Sequence, residues 1–436
     1  MIFIFCPRGN ATGGTELLHQ LGYKLNLFGF EVCMYYYGDD NGLPVLHPRF
    51  KGYGVPIAES VSDQADNVFI YPEMMVSSLI DIKRQLPLSK HVLWWLSVDN
   101  AGMTPELIKI VSDEKDLIHF VQSYYALDYV KSVLLVPDER LYYLSDYLNT
   151  DFLNIHSDDK RDDIVLFNPR KGFERTSGLI RYSDYRIKWQ ALEGLAPEDI
   201  PMVLKKAKVY IDFGNHPGKD RFPREAVSCG CRIITGRRGA AANDKDIPIP
   251  EELKVSDDAA DDKILDLICA LLQNYDKTEE LYTEYKNKIS EEFHSFEADV
   301  LSVFNEITEK TEHDTDRSEK DLREDLLDAV TKEDYRRSLY LITIYRIKKY
   351  VIDEVIMILE GYTRLGLGED QTAVYIMNKL LDMNPKNYEA YLIKARALSG
   401  LDMEGASEAI DNAVSFSKGT EDEEYIKESI NALGFK

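Results

Sequence analysis

The densest chemistry in the 436-residue chain lies in HPGKDRFPREAVSCGCRIITGRRG. From 216 to 225 it holds His216, Lys219, Asp220, Arg221, Arg224 and Glu225, with Pro217 and Pro223 limiting its freedom. Like charges this close repel unless something polar is bound among them. A surface loop with scattered ion pairs is the plainer alternative. A second basic turn, FNPRKG, places Asn168, Arg170 and Lys171 where a strand should end. Arginine offers a planar fork of donors and lysine a point charge, which together suit a diphosphate. A solvated basic turn would have the same composition.

Near the N terminus, RGNATGGTE joins the first apolar run to the first helical pattern. Gly13 and Gly14 permit close backbone approach, Thr15 can cap, and a helix start offers unbonded N–H groups to an anion. A tight turn without a ligand explains the same residues. The glycines do not form the G-x-G-x-x-G fingerprint, so no dinucleotide cofactor is indicated. HVLWWLSVDN ends in Ser97, Asp99 and Asn100. Asp99 either reaches a cleft beyond the strand or caps a helix. Gln122, Ser123 and, more weakly, Glu73 sit in similar places, whereas Trp94, Trp95 and His119 read as core.

The elements that must position these residues follow from short apolar runs. IFIFC, EVCMYYY, NVFIY, HVLWWLSV and LIHFV are apolar on both faces and are separated by helical patterns. That is the signature of a parallel sheet covered by helices on both sides. Residues 1–157 are therefore expected to form one Rossmann-like domain. After the polar stretch NIHSDDKRDD the alternation restarts with DIVLFNP, YRIKWQAL, KVYIDFG and CRIITG, with helical segments such as PEDIPMVLKKA and REAVSCG between them. Residues 158–310 are expected to form a second Rossmann-like domain with closing helices. The charged segment 311–330 is a linker or the exposed start of a helix. Residues 331–436 read as wholly helical. There Gly361, Ala373 and Pro385 have the spacing of a tetratricopeptide repeat, and Tyr391, Ala395 and Val414 fit a second copy. An unspecialised bundle would also fit.

The net charge of −24 argues against a general nucleic-acid binder. Five scattered cysteines argue against a disulfide framework, and Cys229 and Cys231, spaced C-x-C, against structural zinc. No apolar run is long enough to span a membrane, so a cytoplasmic protein is expected. RRSLYLITIYRIKKY, locally basic and amphipathic, either touches a membrane surface or packs as an ordinary helix.

ALEGLAPEDIPMVLKKAKVYID followed by REAVSCGCRIITG resembles the C-terminal domain of GT-B glycosyltransferases of the retaining, glycogen-synthase-like group. GGTELLHQLGYKLNLFGFEV is similar to that group's first loop and helix, and FHSFEADVLSVF to its closing helix. The resemblance covers residues 1 to about 308. It implies an α/β fold of two facing Rossmann-like domains, with Glu225 on the ribose of a nucleotide-sugar donor. It further implies Gly13 and Gly14 near the donor phosphate, Arg170 and Lys171 on the diphosphate, and Asp99 facing the sugar. The group usually carries another Glu eight positions before Glu225, where this chain has Pro217. Asp220 or His216 stands in for it, the sugar is held differently, or the site is degenerate.

The expected activity is transfer from a nucleotide-diphosphate sugar to a saccharide, lipid-linked or protein acceptor, in surface polysaccharide or glycoconjugate synthesis. Lys171, Arg170, Lys219 or Arg221, with the Gly14 N–H, would stabilise the leaving group. A metal-independent reaction is expected, its leaving group met by cations, with retention implied by the resemblance alone. An inverting enzyme would need a base, and Asp99 could serve. The alternatives are a degenerate scaffold that binds a protein partner through its helical repeats, and a nucleotide-sugar epimerase on the same fold.

Overall fold

The structure, a computed structural model, describes residues 1–39, 42, 44–154, 160–184, 186–196, 199–309, 317–401 and 403–432. The chain divides into two units. One comprises Met1–Asn26, Phe30–Leu148 and Ile155–Thr308; the other comprises Leu27–Gly29, Asn149–Asn154 and Glu309–Lys436. The expected boundaries at 157 and 310, much of the polar stretch between the sheets, Tyr185 of one strand candidate, and Pro197 and Glu198 of one helix candidate lie outside the described residues.

The first unit contains two parallel sheets. Strands β1 (Ile2–Pro7), β2 (Val32–Tyr37), β3 (Val68–Pro72), β4 (Lys90–Trp95), β5 (Ile118–Val121) and β6 (Leu141–Tyr143) lie in the order β2-β1-β3-β4-β5-β6. Strands β7 (Asp162–Phe167), β8 (Lys188–Ala191), β9 (Ala207–Asp212) and β10 (Arg232–Thr235) lie in the order β10-β9-β7-β8. Every pairing is parallel. Strands such as Val68–Pro72 are buried residue after residue, because helices cover both faces. The intervening helices are α1 (Gly13–Leu27), α2 (Val76–Gln85), α3 (Pro105–Asp113), α4 (Tyr124–Ser132), α5 (Phe173–Tyr182), α6 (Ile200–Lys206) and α7 (Arg221–Ser228). Helices α8 (Asp261–Gln273), α9 (Thr283–Ser290) and α10 (Glu292–Ile307) close the unit.

The strand orders decide where a ligand fits. In each sheet the order reverses beside its first strand, between β1 and β3 and between β7 and β9. Loops leaving neighbouring strands there depart in opposite directions and open a crevice beyond the carboxyl ends. The four loops concerned carry Gly13 and Gly14, Glu73, the FNPRKG turn and the HPGKDR segment.

The second unit is a run of helices: α11 (Glu319–Thr331), α12 (Tyr335–Ile347), α13 (Glu354–Gly366), α14 (Asp370–Met383), α15 (Tyr388–Gly400), α16 (Ala406–Ser417) and α17 (Glu423–Ala432). Each packs on the next, and α11, α13, α15 and α17 also pack in series. Side-chain caps Ser318, Asp353 and Asn387 start α11, α13 and α15, at spacings of 35 and 34 residues. A Cβ on Gly361 would lie 2.8 Å from Met377 Cε, so glycine allows α13 and α14 their close approach. Ala373 and Ala395 are fully buried, whereas Val414 is 36% exposed. The charged segment is helical from Glu319, with its residues 311–316 outside those described. In RRSLYLITIYRIKKY, residues Leu339, Leu341, Ile342, Ile344 and Tyr345 are buried inside the unit. Its apolar side is thus spent on helix packing, which corrects the membrane-surface alternative. Among the described residues, no helix is long and apolar enough to cross a membrane.

Candidate functional site

Helix α7 begins at Arg221, earlier than the sequence suggested, with Pro223 in its first turn. Proline is tolerated there because first-turn N–H groups have no intrahelical acceptor. Helical spacing then puts Arg221, Arg224 and Glu225 on one side of α7. Glu225 is 8% exposed, and its carboxylate makes no hydrogen bond among the described residues. Burial pushes its carboxyl up to about 7 against the pull of Arg221 and Arg224.

Arg221 reaches α1. Its Nη1 lies 2.5 Å from Glu16 Oε2, while its Nε and Nη2 are buried without a hydrogen-bond partner. A Cβ on Gly13 would stand 3.6 Å from the Arg221 side chain, and one on Gly14 would stand 3.5 Å from Leu96 Cδ1. Thr12 and Thr15 cap each other's N–H groups at the start of α1, at 2.8 and 3.2 Å. Glu16 also accepts from Arg49 (3.0 Å) and Tyr53 (3.3 Å).

Behind α7 is a buried ionic cluster. Arg224 is fully buried and donates to Asp146 (2.6 Å) and Glu292 (2.8 Å). Lys219 lies 2.7 Å from Glu292 and donates to Ser145 (2.9 Å). Burial would raise the Asp146 carboxyl, but Arg224, Lys219 and Arg221 together hold it below the ordinary carboxylate range. The loop ahead of α7 is wedged against the first sheet. The Pro217 carbonyl accepts from Val98 N–H (2.8 Å), and a Cβ on Gly218 would overlap the Leu96 carbonyl oxygen. Leu96 N–H in turn donates to the buried Glu73, whose carboxyl burial pushes up to about 7.

The two loops of the second sheet meet backbone to backbone. Gly172 has φ +60°, and a Cβ there would lie 2.6 Å from Gly214 N, so no other residue fits without displacing the FNPRKG turn. Lys171 pairs with Asp220, while Arg170 is exposed with no side-chain partner among the described residues.

No family model matches the sequence, and no curated protein is similar to it. Solved structures do match. A glycosyltransferase from Rickettsia africae superimposes with a TM-score of 0.54 at 12% identity, over 71% of this chain and 99% of that one. A sucrose-phosphate synthase from Thermosynechococcus elongatus gives 0.51 at 14% identity, over 71% and 99%. The Anabaena HepE protein, solved in complex with UDP-glucose, gives 0.50 at 10% identity, over 70% and 99%. The chain has the GT-B glycosyltransferase fold. Its two parallel sheets are the Rossmann-like domains of that fold, and a run of packed helices follows them.

Within the GT-B unit, the sequence candidates divide into those brought together where α1 and α7 begin and those placed elsewhere. Gly13, Gly14, Arg221 and Glu225 are brought together, and Lys171 and Asp220 adjoin them through the loop ahead of α7. Lys219 points away from the crevice, its side chain 4% exposed in the Asp146–Glu292 cluster. Sequence alone had placed it with the diphosphate-binding cations; the two buried carboxylates claim it instead. His216 is fully buried between Asp212 and Asp220. Asp99 accepts from Tyr125 (2.8 Å) and Asn215 (2.6 Å), so it ties the two GT-B domains together. Trp94, Trp95 and His119 are core, with Trp95 donating to His119 at 3.1 Å. Glu16, Asp146, Asp212 and Glu292 escaped sequence reasoning. Asp146 and Asp212 carried a signal, as the single acids in the apolar runs LYYLSDYL and KVYIDFG.

Proposed function

We propose that the chain is a glycosyltransferase that takes a sugar from a nucleotide-diphosphate donor held between the loop before α1 and helix α7. One observation carries the proposal. Glu225 makes no side-chain hydrogen bond among the described residues, and beside it Arg221 has two buried donors without a hydrogen-bond partner, Nη2 and Nε, the latter 4.0 Å from Asp146 Oδ2. Buried donors are almost always satisfied, so Arg221 calls for a ligand with anionic acceptors, and the unbonded carboxylate beside it suits hydroxyl donors. A ribose joined to a diphosphate has both. That the Anabaena relative was solved with UDP-glucose supports the same class of donor.

In this proposal Glu225 accepts from the ribose hydroxyls. The diphosphate lies against the Gly13 and Gly14 N–H groups and Arg221, where a helix start and a guanidinium favour negative charge. As the bond from the anomeric carbon to the diphosphate oxygen breaks, its electron pair leaves with the nucleoside diphosphate. Arg221 and Lys171 meet the charge that develops, with Arg170 at the rim, and they are in place before the reaction. Asp220 orients Lys171. The transfer is metal-independent and retaining, to a saccharide, lipid-linked or protein acceptor in glycoconjugate synthesis. The second unit, with caps recurring near every 34 residues, is a tetratricopeptide-type array that engages a protein partner or acceptor.

A screen of UDP-, GDP-, ADP- and TDP-sugars by thermal shift, in EDTA, tests this. At 100 times the dissociation constant a ligand adds about 2.7 kcal/mol, a shift of several degrees. One donor class is expected to give it and to be turned over in EDTA. Absence of any shift would favour the non-catalytic scaffold, in which Glu16 and Asp220 permanently occupy Arg221 and Lys171.

A further inference from the structure

We propose that His216 is a positioning residue that acts on the donor through Asp220 and Lys171; this rests on the donor-site proposal above. The His216 ring is fully buried, with Nε2 3.4 Å from Asp212 Oδ1 and Nδ1 3.3 Å from Asp220 Oδ2. Both ends of this line are anchored. Asp212 accepts from Tyr210 O–H (2.9 Å) and Gly214 N–H (3.0 Å), and burial would raise its carboxyl, but His216 and these bonds hold it low. At the other end Asp220 pairs with Lys171, whose side chain is 32% exposed. The His216 carbonyl accepts from Ala240 N–H (2.8 Å), which fixes the ring's own backbone.

A ring between two carboxylates can donate to one as the neutral tautomer and to both as the cation. With a proton on Nδ1, as that neutral tautomer or as the cation, it fixes the orientation of Asp220, and Asp220 fixes where the Lys171 ammonium stands. Lysine is a point charge on a flexible stem, so its worth to a diphosphate depends on being held. The loop has no Glu at position 217; the Asp212–His216–Asp220 line supplies a carboxylate at the neighbouring cation instead. His216 itself touches no substrate in this scheme.

A double-mutant cycle separates this from a merely structural role. The probes are UDP, GDP, ADP and TDP, titrated calorimetrically against the full chain, with the tightest carried forward. Lys171→Ala is expected to weaken it about tenfold. His216→Phe, which keeps a ring, and Asp220→Asn, which keeps the shape, are each expected to weaken it about fivefold, and neither to weaken it further in Lys171→Ala. If the folded His216→Phe or Asp220→Asn protein binds as wild type does, or if its loss persists undiminished without Lys171, the inference is overturned. Should His216→Phe fail to fold, His216→Asn, too short to span Asp212 and Asp220, takes its place in the cycle with the same expectation. Binding that depends on Glu225 but not on these residues would overturn this inference and leave the donor site standing. No binding by any probe would overturn both.

Discussion

Glu225→Gln is expected to lower donor affinity by about 30- to 100-fold at pH 8 and, at that same pH, to make the protein more stable. The first effect follows from chemistry at the ribose. A carboxylate can accept from both hydroxyls, whereas an amide is uncharged and has one acceptor oxygen. Losing charge-assisted hydrogen bonds costs about 2 to 2.7 kcal/mol here, which is that range in affinity. The second effect follows from burial, which pushes the Glu225 carboxyl from 4.5 up to about 7. A raised carboxyl contributes stability that is fully present below its unfolded value and is lost as pH rises through about 7. Above pH 7 the wild type holds a buried charge at a cost on the order of 3 kcal/mol, and glutamine holds none. Urea unfolding at pH 4.5 and pH 8 measures this: wild type is expected to lose stability relative to the variant between them. Donor affinity of the wild type should fall, toward tenfold per unit, as pH drops below about 7. A variant that binds normally, or is less stable at pH 8, contradicts the assignment.

Arg224→Met is expected to destabilise the protein by about 3–5 kcal/mol, the cost of leaving buried carboxylates without their partner. Arg224 is fully buried, Asp146 and Glu292 nearly so, and Lys219, with Arg221 4.0 Å from Asp146, would remain beside them. The same guanidinium donates to the Lys219 carbonyl (3.1 Å), so the loop that wedges Gly218 against Leu96 loses its anchor too. Donor binding should therefore fall with stability. Lys286→Met is the control: its partner Glu279 is 60% exposed, and such a pair is worth less than about 1 kcal/mol. Equal effects of the two substitutions in chemical denaturation would show that the cluster is not what holds the loop.

How far the sequence led can be traced through these same residues. Nine of the ten strands among the described residues were legible, most of them because a strand buried on both faces is an unbroken apolar run, which the partly exposed Lys188–Ala191 is not. The exception, Leu141–Tyr143, is three residues long and half-buried, too short for any periodicity. Glu225 was singled out by the resemblance to the glycogen-synthase-like group, and Gly13 and Gly14 by their place in the loop after an apolar strand. The direction of each cation was not. Lys219 and Arg221 are two residues apart in one charged run, yet one turns to Glu292 and the other to Glu16. Those acids lie far away in the chain, and only the folded backbone brings them near. The run of helices after the two sheets was legible as helical, while the caps Ser318, Asp353 and Asn387 went unread among many other polar residues.

The most direct measurement is a crystal structure of the chain with its tightest-binding nucleoside diphosphate. The account predicts the ribose hydroxyls on the Glu225 carboxylate and the phosphates between the start of α1 and the Arg221 guanidinium. A nucleotide bound anywhere else, with Arg221 still on Glu16 and Glu225 still unpartnered, would contradict it.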